Sequence, residues 1–277
     1  MSKELVVSCL QTNATPNEKD NLEQIETLMA KAHEAGADFI ALPEACDFLD
    51  TGIGVMQAYA QPLEAHRALA RIRGLVSNFG YWCLIGSLTV RTEEGDIANR
   101  SFLINPQGDI VSYYDKIHMF DANIPGNVGS KESDIYRPGD KARISNLPWG
   151  RLGMTICYDL RFPHLYRDLA HAGAEILAVP SAFAKMTGQA HWHSLLRARA
   201  IENTCFVIAP GQTGHHYDKR YSYGHSLIID PWGKIIADAG EEVGIITTKI
   251  DLEKIDEARS VISSLHHDRK FQSAVGR

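Results

Sequence analysis

The apolar positions of this chain fall into short runs and stripes. Leu5 to Leu10 is an apolar run of strand length, and Asn13 to Asn17 is a polar turn. From Lys19 to Ala35 the residues Leu22, Ile25, Leu28, Met29 and Ala32 recur at helical spacing, which predicts an amphipathic helix ended by Gly36. Phe39 to Leu42 predicts a buried strand with Glu44 at its end, Gln61 to Phe79 a second helix and Trp82 to Gly86 a third strand. Ser101 to Ile104 and Ile110 to Tyr114 predict a hairpin around Asn105-Pro106-Gln107-Gly108, whose second strand runs into Asp115-Lys116. Residues 118–140 read as a long polar loop containing Glu132, and loops of that length are often functional. Leu152 to Ile156 predicts a short strand that stops at Cys157. A polar turn follows, Asp159 to Arg161, and Pro163 suits the first turn of the next helix.

The pattern then repeats. Ala172-Gly173-Ala174-Glu175-Ile176-Leu177-Ala178-Val179-Pro180 copies the stretch from Ala35 to Pro43, and Ser226 to Ile235 copies the hairpin that begins at Ser101. Between the copies, a helix from His191 to Asn203 and a strand from Cys205 to Ala209 match the second helix and third strand. The copies keep their order about 125 to 137 residues apart (226 less 101, 172 less 35), too far for a solenoid. The repeat predicts two similar α/β halves, about 1–140 and 141–250, within one domain spanning 1–277. The hairpins give each half a mixed sheet with helices on one face. Two such sheets would bury their free faces on each other in a four-layer α-β-β-α sandwich. The alternative is that Ala-Gly-Ala and Pro-x-Gly are common helix-end and turn chemistry. The tail, 251–277, is polar and reads as lacking a core role, so its expected use is packing against a neighbouring subunit.

Composition changes little in this picture. With 277 residues, 44% of them hydrophobic, the chain can bury a large core, and a net charge of −6 gives no footing for nucleic acid or an anionic membrane. No apolar run approaches a membrane span, and Met1 to Thr12 does not read as a signal peptide. The cysteines Cys9, Cys46, Cys83, Cys157 and Cys205 are scattered and odd in number, which suits a reducing cytoplasm better than disulfides or a thiolate metal site.

Chemistry enters at the strand ends. A sulfur at Cys157, where a strand gives way to a turn, suits a nucleophile, and a helix N-terminus nearby would lower its pKa; the plain alternative is a buried core cysteine. Hydrolysis of an amide by a thiol needs a base, an oxyanion donor and an acid for the leaving nitrogen. None of the twelve histidines has a recognisable catalytic context. His191-Trp192-His193 and His215-His216 lack a third ligand for a metal. A carboxylate can be the base instead: Glu44, desolvated behind a buried strand, would have a raised pKa and could both accept and donate a proton. Lys116 could keep a thiolate charged and bind an oxyanion. Each alone could also be a solvated strand-end charge; the three together are informative.

The contexts Leu42-Pro43-Glu44-Ala45, Tyr114-Asp115-Lys116-Ile117-His118 and Ile156-Cys157-Tyr158-Asp159-Leu160-Arg161-Phe162-Pro163 resemble the carbon–nitrogen hydrolase (nitrilase) superfamily. The resemblance covers nearly the whole chain and extends to Gly224-His225-Ser226 and Asp230-Pro231-Trp232-Gly233. The nearest branch is the Nit group: Pro180 to Phe183, Thr187-Gly188, Ala190-His191-Trp192 and Arg197 to Glu202 are most similar to its deaminated-glutathione amidases. The resemblance implies the α-β-β-α sandwich, no cofactor or metal, and a homodimer or larger assembly. It implies Cys157 as nucleophile, Glu44 as general base and acid, and Lys116 with the Tyr158 N–H on the oxyanion. Glu132 matches the family's second glutamate. Arg161 would bind a substrate carboxylate or pair with an acid to brace the turn. Phe183, Thr187, Arg220 and Tyr221 are pocket candidates by resemblance and loop position, although Arg220 sits in a polar run. The expected substrate is a small carboxylated amide, such as deaminated glutathione or a 2-oxo acid ω-amide, hydrolysed through a thioester with release of ammonia. A nitrilase, another amide or carbamoyl hydrolase, or a non-catalytic partner-binding protein on the same fold are the alternatives.

Overall fold

The computed structural model describes residues 3–50, 52–122, 131–218 and 220–272. The first half runs β1 (Glu4–Gln11), α1 (Glu18–Glu34), β2 (Phe39–Ala41), α2 (Ile53–Tyr59), β3 (Gln61–Pro62), α3 (Arg67–Phe79), β4 (Trp82–Arg91), β5 (Ile97–Ile104), β6 (Ile110–Asp115) and β7 (Arg143–Asn146). The second runs β8 (Arg151–Met154), α4 (Pro163–His171), β9 (Ile176–Ala178), α5 (Lys185–Asn203), β10 (Phe206–Ala209), β11 (Thr213–Tyr217), β12 (Arg220–Tyr223), β13 (Leu227–Ile229), β14 (Ile235–Asp238), β15 (Gly244–Asp251) and α6 (Glu253–Val261). Among the described residues no helix is long and apolar enough to cross a membrane.

The duplication is visible strand by strand. One sheet carries β1-β2-β4-β5-β6 and the other β8-β9-β10-β13-β14. In both, the first three strands are parallel and the last two are added antiparallel. Each half then gives its last strand away. β7 pairs antiparallel with β8, the first strand of the second half, and β15 pairs antiparallel with β1, the first strand of the first. The halves are therefore interlocked, and the expected division at 140 falls before the first exchanged strand.

Strand alternation builds the layers. Val7, Phe39, Ala41, Leu84 and Leu103 face one cluster that also holds Leu152, Met154, Ile176, Ala178 and Phe206 of the other sheet. The intervening Ile40, Cys83, Ile85 and Phe102 face Ile25, Met29, Leu69 and Ile72 of α1 and α3. Leu165, Tyr166, Trp192 and Leu196 cover the second sheet from α4 and α5. The result is the expected α-β-β-α sandwich.

Boundaries move where local chemistry overrides periodicity. The helix expected from Gln61 starts only at Arg67, because Gln61–Pro62 pairs with β4, Pro62 has no N–H to donate, and His66 caps the helix through Nδ1. The tail is the larger correction. Asp251 closes β15, and Leu252, Ile255, Ala258 and Leu265 are buried, so one face of 251–265 packs on the core. Of the expected long loop, 123–130 lies outside the described residues, as does 273–277 of the tail. Leu252→Ala is expected to cost about 2–5 kcal/mol in denaturant unfolding, the usual range for a fully buried leucine. A surface-like loss below about 0.5 kcal/mol would contradict this placement.

Candidate active site

Four chain segments meet where the sheets' strand ends converge. Glu44 follows β2, Lys116 follows β6, Cys157 follows β8, and Glu132 begins a short 3-10 turn. All four line one cleft of about 170 Å³, together with Tyr158, Phe183, Thr187 and Arg220. Lys116 is 2% exposed and its ammonium sits 2.8 Å from Glu44 Oε1 and 2.8 Å from Glu132 Oε1. Asn99 donates from Nδ2 to the same two oxygens, at 3.0 and 3.1 Å. Glu44 Oε2 accepts the Ala182 N–H at 2.8 Å, and Glu132 Oε2 accepts the Phe120 N–H. The Cys157 thiol lines the same cleft beside Glu44, close enough for each to shift the other's pKa.

The backbone is bent to present these groups. Cys157 and Ala45, neither a glycine, hold left-handed φ angles of 47° and 50°. Such conformations cost about 1–3 kcal/mol each and persist only when the surroundings impose them. At Ala45, the Ser87 hydroxyl accepts its N–H and Gln212 donates to the Glu44 carbonyl. A Cβ on Gly86 would stand 2.1 Å from Leu42 O and 2.2 Å from Pro43 O, so only glycine lets β4 pass under this turn. At Cys157, Asp159 makes the connection. Its buried carboxylate accepts the Ile156 N–H, the Tyr114 hydroxyl, and both the backbone N–H and Nδ1 of His118. Tyr114 and His118 flank Lys116 two residues to either side. Asp159 thus ties the lysine segment to the cysteine turn across the two sheets.

The electrostatics reverse two expectations. Burial works against the charge on Glu44, but Lys116, the neighbouring Cys157 thiol and the Ala182 N–H outweigh it and hold the carboxyl below its ordinary 4.5. Burial also opposes the charge on Lys116, and Glu132 and Glu44 hold its pKa well above 10.5. Burial and the negative charge of Glu44 push the Cys157 thiol up, more than Lys116 lowers it. Both directions favour a neutral thiol beside a charged carboxylate.

Other expected residues fall differently. Arg161 is outside the cleft lining, its guanidinium 5.2 Å over Phe183 and 5.8 Å over Tyr158, with His191 Nδ1 at 3.4 Å. The acid of its turn, Asp159, is committed to other donors, so neither a cleft contact nor a brace to that acid describes it. Tyr221 is exposed and packs at a tilt against His215, because its side chain alternates away from Arg220 along β12. Cys46 is buried in the core between the first sheet and its helices, with its thiol toward Ser87 O. Arg220 is no surface charge: it donates to Ala182 O at 2.8 Å, and its Nε is buried without a partner. Asn99 and Asp159 carry the site without being predicted as lining or bracing residues. A charge-satisfying amide inside a strand leaves no motif, whereas Asp159 stands two residues from Cys157.

Residues 6–260 match the carbon–nitrogen hydrolase family. A deaminated glutathione amidase of Synechocystis is 39% identical, over 96% of this chain and 98% of that protein. Its Mus musculus counterpart is 38% identical over 95% and 83%. The crystal structure of the C. elegans NitFhit protein superposes with a TM-score of 0.89 and 33% identity; it covers 97% of this chain, which spans 66% of that one.

All five cysteines are free and buried, but among them only Cys157 lines the cleft. Iodoacetamide is therefore expected to modify Cys157 first in the native protein, about tenfold or more ahead of the others, and Lys116→Met, which removes the charge that lowers the thiol pKa, should slow it. Peptide mapping after timed quenching reads both rates. Equal rates at Cys46 or Cys83 would contradict this geometry.

Proposed function

The chain belongs to the carbon–nitrogen hydrolase family and is a hydrolase of amide C–N bonds, and from the cleft we propose a thioester mechanism in which Cys157, Glu44 and Lys116 are the reacting groups. The observation that carries this reading is the convergence of a thiol, a carboxyl group and a buried lysine in one cleft. Glu44 takes the thiol proton as sulfur attacks the amide carbon. The carbonyl oxygen gains the electron pair and is held by Lys116 and the N–H of Tyr158. A lysine has three N–H donors, and two are already spent on Glu44 and Glu132. The third is available for the oxyanion. Collapse breaks the C–N bond, the nitrogen takes the proton from Glu44, and ammonia leaves. Water then gives a proton to Glu44, attacks the thioester carbon, and the second collapse frees the acid and returns the proton to sulfur. Glu132 and Asn99 act through Lys116 and Glu44, as positioning residues.

The substrate is a small amide that also carries a carboxylate, of the kind named in the deaminated glutathione amidases, with Arg220 as the counter-ion. The partnerless buried Nε of Arg220 supports this, since a guanidinium binds a carboxylate through paired N–H donors. The same reading gives a cytoplasmic homo-oligomer. The free cysteines suit a reducing compartment, and exposed Val261, Ile262 and Phe271 suit contact with another copy.

Ammonia release from a panel of amides and nitriles tests the reading. Carboxylated amides are expected to be the best substrates, and Cys157→Ala is expected to lower kcat by a factor on the order of 10⁴ or more. Arg220→Leu should raise KM about 10- to 100-fold while sparing uncharged short amides. Preference for a nitrile over every amide, or full turnover by Cys157→Ala, would overturn it. Because the reactive form holds Glu44 ionised and the thiol neutral, kcat/KM should stay level from neutrality down toward pH 4.5 and fall only below that. A rate that instead climbs steadily into the alkaline range would mean that a pre-formed thiolate is the reactive species.

A further inference from the structure

Outside the cleft, three segments bring two imidazoles and a carboxylate together. His193 lies on α5, His225 stands between β12 and β13, and Asp238 closes β14. His191-Trp192-His193 alone lacks a third ligand, and the fold supplies two from elsewhere. One ligand atom from each of His193, His225 and Asp238 lies within 4.8 Å of the others. His193 Nε2 is 3.4 Å from Asp238 Oδ2, and His225 Nδ1 is 2.9 Å from Oδ1 and 3.2 Å from Oδ2. A tetrahedral ion with bonds of about 2.0–2.1 Å holds its ligand atoms roughly 3.3 Å apart. The spacings to the carboxylate therefore need almost no adjustment.

We propose that His193, His225 and Asp238 form a binding site for a zinc-class divalent cation, with the fourth position open to water. Two imidazole nitrogens and one carboxylate are the donors that suit a borderline cation, whereas magnesium and calcium prefer oxygen. The ligands are themselves held. The Gly240 N–H donates to Asp238 Oδ1 at 2.9 Å, and Gly240 O accepts the His225 N–H at 2.6 Å. Trp192 Nε1 donates to His225 O at 2.7 Å, which helps fix His225 at its left-handed φ of 52°. Such outer contacts keep ligands oriented for a metal. The side chains are 21–35% exposed, enough for an ion to enter from solvent.

The site also touches the cleft wall. Tyr223 stacks on His225 and donates its N–H to Phe183 O, and Trp192 packs on the Phe183 ring at 5.0 Å. An ion there would cross-link α5, the His225 turn and β14 behind Phe183.

Zinc titrated by calorimetry into chelator-treated Cys157→Ala protein tests the proposal, because removing the sulfur stops the cleft from competing. The expected result is one equivalent bound per chain, with magnesium silent at the same concentration. His193→Gln and Asp238→Asn should each weaken zinc binding about tenfold or more, with metal-free circular dichroism unchanged. Cobalt in place of zinc should give the visible absorption of a four-coordinate ion, a readout that needs no ligand variant. Failure to bind zinc, or unaltered affinity in both folded variants, would overturn the site and leave a plain His–Asp hydrogen-bond network. The cleft thioester mechanism stands or falls separately.

Discussion

One ammonium held between two carboxylates organises the cleft of this molecule. Lys116 is buried to 2% exposure, where an unpaired charge would be prohibitive. Glu44 and Glu132 make it tolerable, and Asn99 ties both acids to each other. The pairing has a consequence beyond stability. It keeps Glu44 ionised inside a site whose burial would otherwise protonate it. Burial, and after it the charge of Glu44, push the neighbouring thiol up and favour its neutral form. The charge that would make a thiolate is stored on the carboxylate, one proton transfer away. This differs from a thiol activated by a helix N-terminus, where the sulfur itself carries the resting charge.

The fold holds this arrangement by interlocking its halves. A duplicated α/β unit alone would bring strand ends near each other only as well as two sheets can slide. Here each half's last strand completes the other's sheet, through β7 on β8 and β15 on β1, so the sheets cannot shift independently. Asp159 then fixes the finer register. It joins the cysteine turn to both residues flanking the lysine, with all its partners within 3.0 Å. The left-handed bends at Cys157 and Ala45 are held within this frame.

Much of this was legible in the chain itself. Buried strands announce themselves as apolar runs, and a charged or nucleophilic residue just after one is conspicuous; Glu44, Lys116 and Cys157 stood out that way. The repeated helix-end and hairpin chemistry revealed the duplication. What stayed hidden depends on distant partners. β15 pairs Glu4 with Asp251, and no local pattern encodes so remote a neighbour. The burial of Leu252 and Ile255 follows from that pairing, so a tail of polar appearance puts one face into the core. Tyr221 and Arg220 are adjacent in a polar run, yet only Arg220 turns into the cleft, a difference that strand alternation settles once the register is known. The pKa directions of Glu44 and Cys157 depend on the same assembly: burial alone predicts a raised Glu44, and the field of Lys116 that lowers it appears only when the segments meet, while burial and Glu44 raise the thiol that a helix N-terminus would lower.

The most direct measurement of the stored-charge account is infrared difference spectroscopy of the resting enzyme at neutral pH, with Cys157→Ser and Glu44→Gln as references. The account predicts an S–H stretching band that vanishes in Cys157→Ser and an ionised carboxylate band that vanishes in Glu44→Gln. A resting thiolate without an S–H band, together with a protonated Glu44, would contradict it.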